Sequence, residues 1–202
     1  MRISLSDKVK KSIYARPRGS IFFRSSFSSL GSATAVRQAL NRLEKKEILI
    51  RLAQGIYLYP KKHKTLGIIY PSLDDVANAI AKRDKARIIP TGIQALNKLG
   101  LSTQVPINAV YLIDGPSRNI KVGNGSIKFK KANPKILSVK NDINLLVIQA
   151  LKELGEEAVD DKVKRKLRGV LEDLDPDIVK KDMKLAPVWV SDLIFEILKI
   201  KL

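Results

Sequence analysis

The chain has 202 residues, 45% hydrophobic and 29% charged, which is enough apolar content for one large domain or two small ones. Lys and Arg number 38 against 20 Asp and Glu, and a net charge of +18 calls for a polyanionic partner. With no cysteine and one histidine, His63, the sequence excludes disulfides, thiolate nucleophiles, zinc fingers and any His-based metal site or triad.

In chain order, Leu5, Val9, Ile13 and Tyr14 recur at helical spacing behind Ser4 or Ser6 as caps, and Pro17 and Gly19 stop that helix. Ser20–Phe23 is a short β-like run, followed by a one- to two-turn helix through Phe27 and Leu30. After the Gly31 turn, Ser32 caps a longer helix running to about Lys46. Ile48–Ala53 and Ile56–Tyr59 flank Gln54–Gly55 and predict a β-hairpin. A domain boundary is expected within 60–70, where Pro60 and Pro71 bracket a basic stretch and His63 decorates the linker.

The second segment opens with Ser72 capping a helix that carries Leu73, Val76, Ala77 and Ile80, with Asp74 and Asp75 in its first turn. A further helix follows Pro90 and ends at Gly100. Three β-like runs, Ala109–Ile113, Asn119–Val122 and Ser126–Phe129, predict a small antiparallel sheet with a corner at Gly123–Asn124–Gly125. From Asn141 the chain is expected to be helical, over Ile143–Leu154, 160–173, 177–184 and 190–199. The fold class expected is mixed α/β (α+β). A winged helix-turn-helix would occupy residues 1–62, and an α+β domain with a helical C-terminal part would occupy 66–202.

Charge falls along the chain. Residues 1–62 carry 14 basic and 3 acidic side chains, net +11, whereas residues 141–202 carry 11 and 13, net −2. Helix, short helix, glycine turn, longer helix and hairpin is the order of a winged helix-turn-helix, whose second helix enters the major groove, about 12 Å wide. The helix from Ser32 has the required two sides. Val36, Leu40 and Leu43 form an apolar stripe, and Thr34, Arg37, Gln38 and Asn41 form a polar line at i, i+3, i+4 and i+7. Arg pairs with guanine, and Asn or Gln with adenine, through bidentate hydrogen bonds, so this line is suited to base readout.

Phosphate contacts are expected from Arg16, Arg18, Arg24, Ser32, Lys45 and Lys46, and from Arg51 and Gln54 on the wing. Lys121, Lys128, Lys130, Lys131 and Lys135 are expected to form a secondary basic surface. Phe22, Phe23, Phe27, Ile56 and Tyr57 read as core, with a stacking platform for single strands as the alternative for the aromatic pair. No convergent acid, base and nucleophile set is visible, so neither an enzyme nor a cofactor is expected. No apolar run approaches the roughly 18 residues of a membrane span. The opening MRISLSDKVKK puts charges where a signal peptide needs an apolar run, which predicts a cytoplasmic protein.

The runs RPRGSIFF (16–23), LGSATAVRQALNRLEKKEILIRLAQGIYLYPK (30–61), YPSLDDVANAIAKRD (70–84) and IPTGIQALNKLGLSTQVP (89–106) resemble the AbiEi-type antitoxins of type IV toxin–antitoxin systems, within their small subgroup of about 200 residues. The resemblance spans about half the chain. It implies an N-terminal winged helix that represses its own operon by binding double-stranded operator DNA. It also implies a C-terminal domain that counteracts a nucleotidyltransferase-like toxin or the toxin's effect on its target. Beyond about residue 135 the match is one of helical pattern only. An RNA-binding adaptor, or a stand-alone regulator without a toxin, are the other readings. No apolar stripe demands a dimer seam, so the expectation is a monomer in solution with two copies loading on an inverted repeat.

Overall fold

The computed structural model describes residues 4–199. Its contacts divide the chain into two compact units, Met1–Ile80 with Ile120–Asn124, and Ala81–Asn119 with Gly125–Leu202. The basic stretch 60–70 lies inside the first unit.

Helix α1 (Leu5–Tyr14) begins where the Ser4 hydroxyl accepts the Asp7 N–H, and it turns Val9 and Ile13 inward. Strand β1 (Ile21–Phe23) and a 3-10 helix over Arg24–Leu30 lead to α2 (Ala33–Lys45). Strands β2 (Ile50–Ala53) and β3 (Ile56–Leu58) complete an antiparallel sheet in the order β1-β3-β2, with Tyr57 opposite both Phe22 and Arg51. Val9, Ile13, Phe22, Phe27, Val36, Leu40, Leu43 and Tyr57 close into one core. At roughly 1.5–3 kcal/mol for each large side chain buried, this cluster fixes the orientation of α2 in the first unit.

Past Pro60 the chain does not run as a linker. Strands β4 (Lys61–His63) and β5 (Gly67–Ile69) pair antiparallel, with Lys62 opposite Ile68. The His63 ring closes the turn, its Nδ1 accepting the N–H groups of Thr65 at 3.2 Å and Leu66 at 3.3 Å. Gly67 sits at φ +71°, a conformation that an L side chain resists. All of Lys61–His63 is exposed, so these residues carry no inward-outward alternation from which a strand could be read. Helix α3 (Leu73–Asp84) opens with a reciprocal cap, in which the Ser72 N–H donates to the Asp75 carboxylate and the Asp75 N–H donates to the Ser72 hydroxyl.

The second unit holds β6 (Ile88–Pro90), α4 (Ile93–Lys98), β7 (Asn108–Ile113), the beginning of β8 (Arg118–Val122) and β9 (Gly125–Lys131), in a sheet ordered β6-β7-β9-β8. The sheet is mixed, not purely antiparallel as expected. β6 runs antiparallel to β7, but β7 and β9 are parallel, with Asn108 opposite Ser126 and Ile113 opposite Lys131. The physical reason is spatial order. β8 lies at the sheet edge, and the turn at Gly123 (φ +56°) brings β9 back between β8 and β7. Strand patterning does not encode that order.

At the end of α3, Asp84 meets the guanidinium groups of Arg83 and Arg118, and Arg118 also lies 5.0 Å from the Phe129 ring centroid. The hydrogen bond from Arg83, reinforced by Arg118, holds the Asp84 carboxyl below the usual carboxylate range despite some desolvation.

Helices α5 (Pro134–Leu137), α6 (Asp142–Leu154), α7 (Asp161–Leu171), α8 (Pro176–Met183) and α9 (Val188–Leu198) follow. Val147, Ile148, Leu151, Leu167, Val179, Met183, Val190 and Ile194 form their shared core. The carboxylate of Asp182, 2% exposed, ties α8 to the start of α6 by accepting the N–H groups of Lys140 and Asn141 and the Asn144 side-chain amide. Helices take about half of the described residues, and the class is mixed α/β. No helix among the described residues is long and apolar enough to cross a membrane.

Candidate nucleic-acid interface

Helix α2 forms because Ser32, with extended backbone angles, caps it through a hydroxyl that accepts the Ala35 N–H at 3.3 Å, and because Ala, Arg, Gln and Leu dominate its length. Val36, Ala39, Leu40 and Leu43 are all buried, which turns the opposite side outward. Thr34, Arg37 and Gln38 are exposed there. Asn41 is half-buried, and its Oδ1 is shielded from solvent with no hydrogen-bond partner among the described residues. Arg42 is exposed as well and extends the line Thr34, Gln38 by one more turn. Its i+4 spacing from Gln38 was the signal that could have found it.

The expected phosphate contacts fall into separate places. Arg24 and the β2–β3 turn come together, since the Arg24 N–H donates to the Gly55 carbonyl at 3.0 Å and Gln54 is exposed beside it. Gly55 sits at φ +75° as the tight corner requires. Arg16 and Arg18 lie towards the other end of β3, about 10 Å away along a three-residue strand. The Arg18 guanidinium donates to the Pro60 carbonyl at 3.2 Å and lies 4.8 Å from the Tyr59 ring centroid, so it is pinned to the fold. Arg51 is likewise held, donating to the Tyr57 hydroxyl at 3.4 Å, 5.7 Å from that ring's centroid. Ser32 and the exposed pair Lys45 and Lys46 mark opposite ends of α2, about 20 Å apart at 1.5 Å per residue.

Beyond these, the β4–β5 hairpin displays Lys61, Lys62 and Lys64, none of which was expected among the phosphate contacts. Phe22, Phe23, Phe27, Ile56 and Tyr57 are all buried, between 0% and 7% exposed, so they form no platform for stacking bases.

The secondary basic strip divides between the units. Lys121 belongs to the Ile120–Asn124 segment of the first, and Lys128, Lys130, Lys131 and Lys135 belong to the second. Lys128 and Lys130 share one face of β9, opposite Val110 and Leu112. Lys131 ends the strand with its N–H on the Ser117 hydroxyl, and Lys135 lies in the short α5. No group of three or more His, Asp or Glu side chains among the described residues is placed to hold a metal ion.

Comparison with known proteins places this architecture. A family model described as "Family of unknown function (DUF6088)" matches residues 8–179. The chain belongs to this family. The match takes in both α2 and the sheet of the second unit, so the family is defined by the two units and not by the N-terminal helices alone. No curated protein matches the chain. Among solved structures, the fold of this DUF6088 member is similar to the crystal structure of the RV2827C protein from Mycobacterium tuberculosis. The identity is 12% and the TM-score 0.50, over 98% of this chain and 78% of that one.

Proposed function

We propose that the protein is a sequence-specific double-stranded DNA-binding repressor of its own operon, with residues 1–62 acting as a winged helix-turn-helix. The observation that carries this reading is the two-sidedness of α2. Its apolar stripe is locked into the first unit's core, while Thr34, Arg37, Gln38 and Arg42 point to solvent and Asn41 holds an unpaired amide oxygen among them. An adenine edge is the matching partner for the exposed Gln38 amide and a guanine edge for Arg37, and Asn41 joins them only when its shielded amide turns outward. The β2–β3 turn, with Arg24 and Gln54, serves as the wing. The lysines of β4–β5 add a non-specific phosphate attraction whose strength falls as salt rises.

The antitoxin half of the proposal rests on the resemblance of residues 16–61 and 70–106 to AbiEi-type proteins, with the second unit opposing a nucleotidyltransferase-like toxin. A promoter reporter paired with a growth assay tests both halves in the full-length chain. The wild type should silence its own promoter and rescue growth against a co-encoded toxin. Arg37→Ala should relieve the silencing and leave rescue intact. Rescue without repression by the wild type would leave the regulator reading without support. Repression without rescue would mark a stand-alone regulator.

A further inference from the structure

The run TGIQ (91–94) is absorbed by none of the DNA contacts, and in the structure it builds one wall of a cleft of about 430 Å³ in the second unit. The backbone holds this wall in place. Thr91 donates to the Val110 carbonyl through both its hydroxyl, at 3.0 Å, and its N–H, at 3.1 Å. The buried Gln94 amide donates to the Tyr111 hydroxyl. Gly92, at φ +62° and ψ −145°, occupies a region that only glycine adopts without strain.

Facing this wall, Asn108 and Val110 of β7 and Lys130 of β9 come from the same side of the sheet, while Gln149, Lys152 and Glu153 project from one face of α6 at i, i+3 and i+4. Gln149 is 6% exposed, and its Nε2 has no hydrogen-bond partner among the described residues. A buried amide donor left unpaired is unfavourable, and a bound acceptor removes that cost. Lys130 and Lys152 are exposed at the mouth, and neither is in an ion pair among the described residues. Two free ammonium groups against the single Glu153 carboxylate favour a dianion over a neutral or cationic guest. Ile93, Pro106 and Val110 offer an apolar surface on which a flat ring can lie. The Asn108 Oδ1 is already engaged by the Ser126 hydroxyl at 2.7 Å, which leaves its amide donor for a guest.

We infer that this cleft is a binding site for a nucleoside monophosphate. Its phosphate lies between Lys130 and Lys152, its base lies against Ile93 and Val110, and the amides of Gln149 and Asn108 donate to ring or carbonyl acceptors. The cleft lies within the size range of small-ligand pockets, about 300–1,000 Å³. This inference is independent of the DNA-binding reading, because every residue of the site belongs to the second unit.

Calorimetric titration of the full-length protein with the four ribonucleoside monophosphates, their parent nucleosides and inorganic phosphate tests it. At least one monophosphate should bind with a Kd of roughly 1 mM or tighter, and at least tenfold tighter than its nucleoside or phosphate alone. Lys130→Ala and Lys152→Ala should each weaken that binding by roughly tenfold or more, with the unfolding midpoint of the unliganded protein unchanged, since both side chains are exposed. Arg37→Ala, on the DNA-facing helix, should leave it unaltered. Monophosphates that bind no tighter than phosphate would overturn the assignment. So would binding indifferent to both lysines, or binding lost with Arg37, which would place the ligand on the basic face of the first unit.

Discussion

At the scale of single residues, two side chains make opposite demands on the molecule. The Asn41 oxygen is shielded from solvent with no partner among the described residues, so this amide has to turn outward before it reads a base. Arg37→Ala and Asn41→Ala are each expected to weaken operator binding by roughly 1–3 kcal/mol, with a smaller effect on random DNA, as measured by fluorescence anisotropy at constant salt. Indifference of operator affinity to both substitutions would mean that α2 meets DNA through another face. Asp182 is the contrary case, buried with its carboxylate fully used by the N–H groups of Lys140 and Asn141 and the amide of Asn144. Asp182→Ala strands the buried Asn144 amide and two part-buried backbone N–H groups at once, and urea denaturation should show a loss of about 2 kcal/mol or more. Asp182→Asn keeps one acceptor oxygen and should lose less.

At the scale of elements, legibility in the sequence followed the physics of patterning. α1, α2, β2 and β3 could be read because their apolar residues repeat at helix or strand spacing and their ends are marked by Ser4, Ser32 and Gly55. The exposed line of α2 followed from the same periodicity, although the half-burial of Asn41 did not, because it depends on neighbours that spacing does not describe. The β4–β5 hairpin was invisible for the converse reason. Its first strand is entirely exposed and lysine-rich, and what defines it is pairing with β5 and the ring of His63 over the turn. Parallel pairing of β7 with β9 was equally hidden, since strand order is settled by which edges meet and not by the residues of any one strand. Replacing Lys61, Lys62 and Lys64 together with alanine should weaken operator and random DNA alike. The slope of log K against log salt should fall by up to about three, roughly one unit for each phosphate no longer neutralised. An unchanged slope would remove the hairpin from the interface.

At the scale of the whole molecule, charge is unevenly distributed along the chain. The first 62 residues carry +11, residues 63–140 carry +9 and the last 62 carry −2, so the positive charge lies in the first two thirds of the chain, which include α2. In the second unit the helices turn Val147, Leu151, Val179 and Ile194, all fully buried, into their own core, which leaves Val188 at 77% and Ile178 at 39% as exposed apolar side chains on α9 and α8. Light scattering without DNA should give the mass of one chain across concentrations, and titration with an inverted repeat should load two. A dimer mass that persists on dilution would contradict this.

The most direct measurement is competition for the protein at one fixed salt concentration, between the DNA upstream of its own gene, random duplex of equal length and tRNA. Recognition by α2 predicts that the upstream duplex competes at least tenfold better than either rival, and that Arg37→Ala removes most of the advantage. Equal competition by all three would reduce the basic surface to a general polyanion binder. Preference for tRNA would contradict the repressor reading and favour an RNA-bound role.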